Sequence, residues 1–202
     1  MMKKALKITI NVLVFLGLAW LLFGPAKQIG YAPEQPFAYN HKIHAGDYKI
    51  DCQYCHSTVT YSKKAGIPGT NVCMNCHSSG VLGFRPFANK SDGKRVQKLI
   101  GELSNNYWSK SKSPEWTRIH NMPDHVRFSH APHVKALLKP GAETKTACIP
   151  CHGDVATMDV VAQQESLNMG FCVNCHRTPT DKGFVAEYAK NGVGTNCGMC
   201  HY

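Results

Sequence analysis

Residues 41–56 read "HKIHAGDYKIDCQYCH", placing His41, His44 and His56 beside Cys52 and Cys55 in one short stretch. A zinc site, a redox-active dithiol and the attachment point of a larger group would each use these residue types. The rest of the chain separates the three. The closing pentapeptide recurs as "CQYCH" at 52, "CMNCH" at 73, "CIPCH" at 148, "CVNCH" at 172 and "CGMCH" at 197, and together these use all ten cysteines. Zinc sites and dithiols use CxxC pairs but need no histidine directly after each one. Disulfides would suit an exported chain, yet would not require histidine after every second cysteine. CxxCH is the attachment signature of c-type haem: two thiolates add to the vinyl groups, and the next histidine is placed under the iron as its proximal ligand.

The sequence therefore predicts five c-type haems, each with its iron. Cys52, Cys55, Cys73, Cys76, Cys148, Cys151, Cys172, Cys175, Cys197 and Cys200 attach them, and His56, His77, His152, His176 and His201 are the proximal ligands. Six histidines lie outside the motifs: His41, His44, His120, His125, His130 and His133. If every haem is a closed electron carrier, five distal ligands are needed and one histidine is left over.

An internal duplication is visible in "YNHKIH" from Tyr39 and "FSHAPH" from Phe128: aromatic, small polar, His, two residues, His. Each precedes a CxxCH, and in each case the second motif downstream reads CxNCH. The expected organisation is an anchor over 1–30, a first module with two haems over 31–90, a linking segment over 91–125 and a second module with three haems over 126–202. In the linking segment, Val96, Leu99, Ile100 and Leu103 recur at helical spacing behind Ser91 and Asp92, which can cap a helix. "APHVKALLKPG" reads as a brief helix ended by Pro140 and Gly141, and "FVAEYAKNG" from Phe184 as another. Trp108 and Trp116 are expected to cover haem faces or a partner surface. The fold class is a multihaem cytochrome c: short helices and loops around the porphyrins, with little or no sheet.

At the N-terminus, Lys3, Lys4 and Lys7 precede an apolar run from Ile8 to Phe23. It reads as one transmembrane helix. The lysines keep its N-terminus in the cytoplasm, with the haem domain on the far side. A cleaved signal peptide is the rival, but proline in Gly24-Pro25-Ala26 makes that a poor cleavage site. The net charge of +10 is offset by two propionates per haem, roughly ten negative charges against about one positive charge per oxidised iron centre. The basic balance thus gives no case for nucleic-acid binding.

The paired His-x-x-His ahead of CxxCH resembles class III multihaem cytochromes c. More closely, the anchor followed by "HKIHAGDYKIDCQYCH", "GIPGTNVCMNCH", "EWTRIHNMPDHVRFSHAPH" and "LNMGFCVNCHR" resembles the pentahaem membrane-anchored subunit of alternative complex III, a bacterial quinol:electron acceptor oxidoreductase. The resemblance implies a bacterial cytoplasmic membrane location, with the haem domain on the periplasmic side. Its implied partners are integral quinol-binding subunits, an iron–sulfur subunit and monohaem cytochrome subunits. By position, the class III pattern gives His41 and His44 to the first two haems and His130 and His133 to two in the second module. The fifth distal ligand is then His120 or Met169, since Met169 stands three residues before Cys172, near where three-haem relatives place such a ligand. His125 departs from the aromatic expected there and is read as solvated or bonded to a propionate.

The implied function is electron transfer from a quinol-oxidising complex toward a cytochrome c or terminal oxidase, with no catalytic residues and no enzyme activity of the chain alone. Two alternatives stand beside it. A stand-alone membrane-anchored quinol dehydrogenase would need an open haem near the anchor with a nearby acid or base, for which Glu34 and Asp47 are the nearest residues in sequence. A small-oxyanion reductase would also need an open haem, and the CxxCK motif of pentahaem nitrite reductases is absent.

Overall fold

The computed structural model describes residues 2–23, 28–78, 90–177 and 195–202. Its elements run α1 (Met2–Phe23), a π-helical turn (Lys42–Asp47), α2 (Cys52–Cys55), α3 (Thr70–His77), α4 (Lys90–Asn106) and a 3-10 turn (Trp108–Lys110). Then come α5 (His130–Leu137), α6 (Lys145–His152), a second 3-10 turn (Val155–Thr157), α7 (Met169–Arg177) and α8 (Cys197–Cys200). Among the described residues the only bridge pairing is antiparallel, between Val126 and His201. The described residues are helical, without a sheet.

The helices are short because the sequence stops them. Gly153, at φ +71°, closes α6 in a backbone region that favours glycine, and α5 ends at Leu137, ahead of Pro140 and Gly141. The expected linking helix is α4. Its Leu103 is 3% exposed, with Leu99 and Ile100 half-buried. The helix begins at Lys90, so Ser91 and Asp92 lie in its first turn and not at its cap. The helix expected from Phe184 lies outside the described residues.

Buried apolar side chains are few: among the described residues they are Val59, Met74, Leu103, Val134 and Ala147. Three of them, Val59, Val134 and Ala147, form one cluster with Ala65, Leu137 and Leu138. That cluster joins the two repeats. The backbone does the same: His130 and Ala131 N–H groups donate to Lys63 and Ser62 carbonyls at 3.1 and 3.2 Å, and Lys42 N–H donates to Met158 at 3.1 Å. The π-helical turn sits so close to Val155–Thr157 that a Cβ on Gly46 would strike the Ala156 carbonyl. Among the described residues neither repeat shows a sizeable core of its own, which leaves room for prosthetic groups to serve as one.

Along α1, Leu6, Ile8, Ile10, the run Val12 to Leu16, and Leu18 are exposed. Among the described residues no helix is long and apolar enough to cross a membrane, so the expected crossing is not met there.

Candidate haem sites

All five CxxCH segments are helical. The motif makes the C-terminal part of α3, α6 and α7, and its two cysteines delimit α2 and α8. Three-residue spacing on a helix brings both sulfurs to one face. The following histidine stands one turn above the first cysteine: His56 N–H donates to the Cys52 carbonyl and His201 N–H to that of Cys197, each at 2.9 Å. For the shortest helices a side-chain cap replaces missing turns, since Asp51 accepts from Gln53 N–H at 2.8 Å and Asn196 from Gly198 N–H at 2.9 Å. All ten cysteines are free of disulfides.

The repeated histidine device has the same geometry twice. Tyr39 lies over His44 at 4.5 Å and 28° and stands edge-on to His41 at 4.8 Å. Phe128 lies over His133 at 4.6 Å and 33° and stands edge-on to His130 at 4.9 Å. His44 Nδ1 is 2.8 Å from the Asn40 carbonyl, and His133 Nδ1 is 2.7 Å from that of Ser129. A carbonyl on Nδ1 puts the ring proton there and leaves Nε2 as the free lone pair.

Several of these rings face motif histidines. Centroids are 6.0 Å apart for His44 and His77, 6.0 Å for His133 and His176, 6.3 Å for His130 and His152, and 5.4 Å for His125 and His201. A metal–nitrogen bond of about 2.0 Å on each side, plus about 1.1 Å from nitrogen to ring centre, sets two trans imidazoles roughly 6 Å apart. Three of the pairs fit that span, and His125 with His201 falls short of it. For His41 the ring contact is with Tyr39, and His56 and His44 add to burial in lowering its pKa. His120 is different: its ring is only 4.3 Å from that of His152, nearly perpendicular, with Nε2 3.1 Å from His152 Nδ1. Met169 opens α7 with its side chain 70% exposed.

His125 reaches His201 through backbone register. The Val126 to His201 bridge is flanked by Arg127 N–H donating to Cys200 at 2.7 Å and Tyr202 N–H donating to His125 at 3.4 Å. The Arg127 guanidinium lies 4.4 Å from the Tyr202 ring centre and closes the end of the chain over this strand. Nothing in "PDHVRF" announces a pairing with residues this distant. The one usable signal was numerical, a surplus histidine.

Burial, reinforced by neighbouring imidazoles, favours the neutral form of six of the rings. It pushes His41 down to about 4, with His56 and His44 adding, and His152 down to about 3, with His120, His130 and His56 adding. Burial likewise lowers His77, His120, His130 and His176. Neutral imidazole is the form that binds iron. Among the described residues no group of three or more His, Cys, Asp or Glu is arranged to hold a bare metal ion. The donors come in facing pairs, as a metal already set in a porphyrin requires. Trp116 Nε1, a buried donor with no partner among the described residues, also suits a site completed by an acceptor such as a propionate.

The thiols show how the sites adjoin. The Cys148 thiol donates to the Thr144 carbonyl at 3.5 Å; its interaction with Cys52 holds Cys52 down to about 7, while Cys148 itself is pushed up by Cys52 and by burial. Cys55 is raised by burial and then by Cys73 and Cys76, and Cys151 is raised to about 11 by burial and then by Cys175 and Cys172. Cys172 is raised by burial and then by Cys200. Asn75 Nδ2 donates to Tyr54 OH and Gln53 Nε2 to Thr144 Oγ1, each at 3.2 Å, so α3 adjoins α2 and α2 adjoins α6.

Fold and site together define a multihaem cytochrome c-like protein: helical, sheet-free, with CxxCH segments opposite histidines. Residues 126–202 match the family model for cytochrome c7 and related cytochrome c. Across 204 aligned residues, 95% of this chain and 87% of the relative, the sequence is 26% identical to the menaquinone reductase multiheme cytochrome c subunit of Nitratidesulfovibrio vulgaris strain Hildenborough. c-type haem is the group these similarities imply, and the donor set fits it.

Proposed function

We propose that this chain is the electron-transfer subunit of a membrane-bound complex that acts on quinones, holding five c-type haems in a line. The observation that carries the reading is the repeated juxtaposition of a helical CxxCH with a facing histidine. The proposed distal and proximal pairs are His41 with His56, His44 with His77, His130 with His152, His133 with His176 and His125 with His201. The last replaces His120 or Met169, the two residues expected from sequence. When bound, the haems supply reversible one-electron chemistry at iron closed on both faces.

The polypeptide's part is positional. Carbonyls fix the tautomers of His44, His56, His130 and His133, and burial favours the neutral form of His41, His77, His120, His152 and His176. Hydrogen bonds from Asn75 to Tyr54 and from Gln53 to Thr144 set α2 between α3 and α6 and join the two modules, and in this reading the path continues from α6 to α7 and α8.

The membrane reading is supported by α1, whose apolar side chains are exposed from Leu6 to Leu18. Water is a poor solvent for such a surface, and lipid or neighbouring apolar helices would cover it. Sequence continues the apolar run through Trp20, Leu21, Leu22 and Phe23. We place the chain as a single-pass protein of the bacterial cytoplasmic membrane, N-terminus inside and haem modules periplasmic. Its partners are then integral quinol-binding subunits, an iron–sulfur subunit and monohaem cytochromes, as in alternative complex III.

In that arrangement electrons move from quinol toward a cytochrome c or oxidase. The opposite direction, toward menaquinone, is the second reading, favoured by the menaquinone reductase relative. Purifying the protein from its native membrane with whatever accompanies it, then mixing oxidised complex with menaquinol and reduced complex with menaquinone, tests both. Five haems per chain and rapid reduction by menaquinol support the first reading; rapid reoxidation by menaquinone alone supports the second. Recovery as a lone chain inert to both would contradict the proposal.

A further inference from the structure

We infer that His120 is a positioning residue for the haem at Cys148 and Cys151, accepting a hydrogen bond from His152 Nδ1–H without binding iron. The inference rests on the reading of His152 as that haem's proximal ligand. If His152 gives Nε2 to iron, its remaining ring hydrogen is on Nδ1. The group 3.1 Å from Nδ1 is His120 Nε2. The two rings, 4.3 Å apart and at 83°, are too close to hold an iron between them, whereas His130 faces His152 at 6.3 Å and 10°.

Elsewhere the corresponding partner is a backbone carbonyl: Gly66 for His56 at 2.6 Å, Asn40 for His44, Lys63 for His130 at 3.0 Å and Ser129 for His133. At His152 an imidazole nitrogen takes that place. An unprotonated imidazole nitrogen is a stronger base than an amide carbonyl. It draws the His152 hydrogen further and gives the ligated ring more imidazolate character, which favours the ferric state and lowers the reduction potential at that position.

His120 is also held from behind. Arg118 Nε donates to its carbonyl at 3.0 Å, and Thr117 exchanges two hydrogen bonds with Gln35, at 2.9 and 3.0 Å. Asn121 Nδ2 donates to Gln28 at 3.1 Å. The segment carrying His120 is therefore clamped to residues 28–35, the stretch nearest α1 in sequence. This chain spends its surplus histidine on tuning one haem.

The test compares wild type, His120→Ala, His120→Gln and His130→Ala as full chains with haem attached. The readouts are the low-spin spectrum, carbon monoxide binding after reduction, and a potentiometric titration. In His120→Ala all five haems stay six-coordinate. One potential rises, by roughly tenfold in the one-electron equilibrium or about 59 mV. The Gln variant, whose amide oxygen can still accept, recovers most of that shift. His130→Ala opens one haem to carbon monoxide.

A high-spin or carbon monoxide-binding haem in His120→Ala would make His120 an axial ligand and overturn the inference while leaving six-coordinate haems in the wild type. An unchanged set of potentials would overturn it too. If the Ala chain is not recovered with haem, His120→Gln decides: five low-spin haems with one smaller upward shift support the inference, and a high-spin haem overturns it. Carbon monoxide binding to the wild type would instead fail the underlying ligand reading.

Discussion

The two repeats use the same device and then part ways. In both, an aromatic ring lies over the second histidine of His-x-x-His and stands edge-on to the first, at separations that agree to within 0.1 Å. In both, a carbonyl four residues back holds Nδ1 of the second histidine. They differ at the first motif histidine. His56 is held by the carbonyl of Gly66, a local loop residue ten positions on, while His152 meets His120, a side chain thirty-two positions away in the linking segment. The second repeat also adds a pair, His125 with His201, built by a bridge and not by a helix. Duplication therefore copied the local part of the site, and the long-range parts make the two ends of the line unequal.

The largest effect comes from preventing haem attachment. With so few buried apolar side chains, both repeats should lose their fold, and circular dichroism of chain made without attachment machinery should show most of the helix beyond α1 gone. Native helix content in both would mean the polypeptide carries its own core. Next are His44→Ala and His133→Ala, which should be equivalent. Each leaves one haem open, so about one fifth of the haem binds carbon monoxide after reduction. Unequal outcomes would break the equivalence of the repeats.

Gly66→Ala probes the side that has no copy. Gly66 sits at φ +78°, and a Cβ there would lie 2.7 Å from Thr58 Oγ1. The expected loss is about 1–2 kcal/mol in denaturant unfolding, with a spectral change confined to one haem. A neutral result would detach Gly66 from the holding of His56. The smallest effects belong to Tyr39→Leu and Phe128→Leu, each removing a ring contact worth about 0.5–1.5 kcal/mol. Their losses should match, since the ring geometries do.

What could be read in the sequence is what depends on close neighbours. CxxCH works because three-residue spacing on one helical turn aligns two sulfurs, so "CQYCH" and its four copies announce themselves. YNHKIH and FSHAPH could be aligned because each device closes within six residues. The helix over α4 followed from its apolar spacing. The partner of His201 did not, because it depends on the register between Val126 and the C-terminal turn, which no local pattern encodes. For the fifth distal ligand the sequence offered His120 or Met169, with His125 expected in solvent or beside a propionate; the approach of His125 to His201 and of His120 to His152 is set by loops that local spacing does not encode.

The account's central claim is that the haems are closed on both faces by histidine. Carbon monoxide titration of the dithionite-reduced complex, purified intact from its native membrane, tests this directly. The account predicts five haems per chain and no carbon monoxide-induced change at any of them. Stoichiometric binding at one or more haems of this chain would contradict it and favour an open catalytic site.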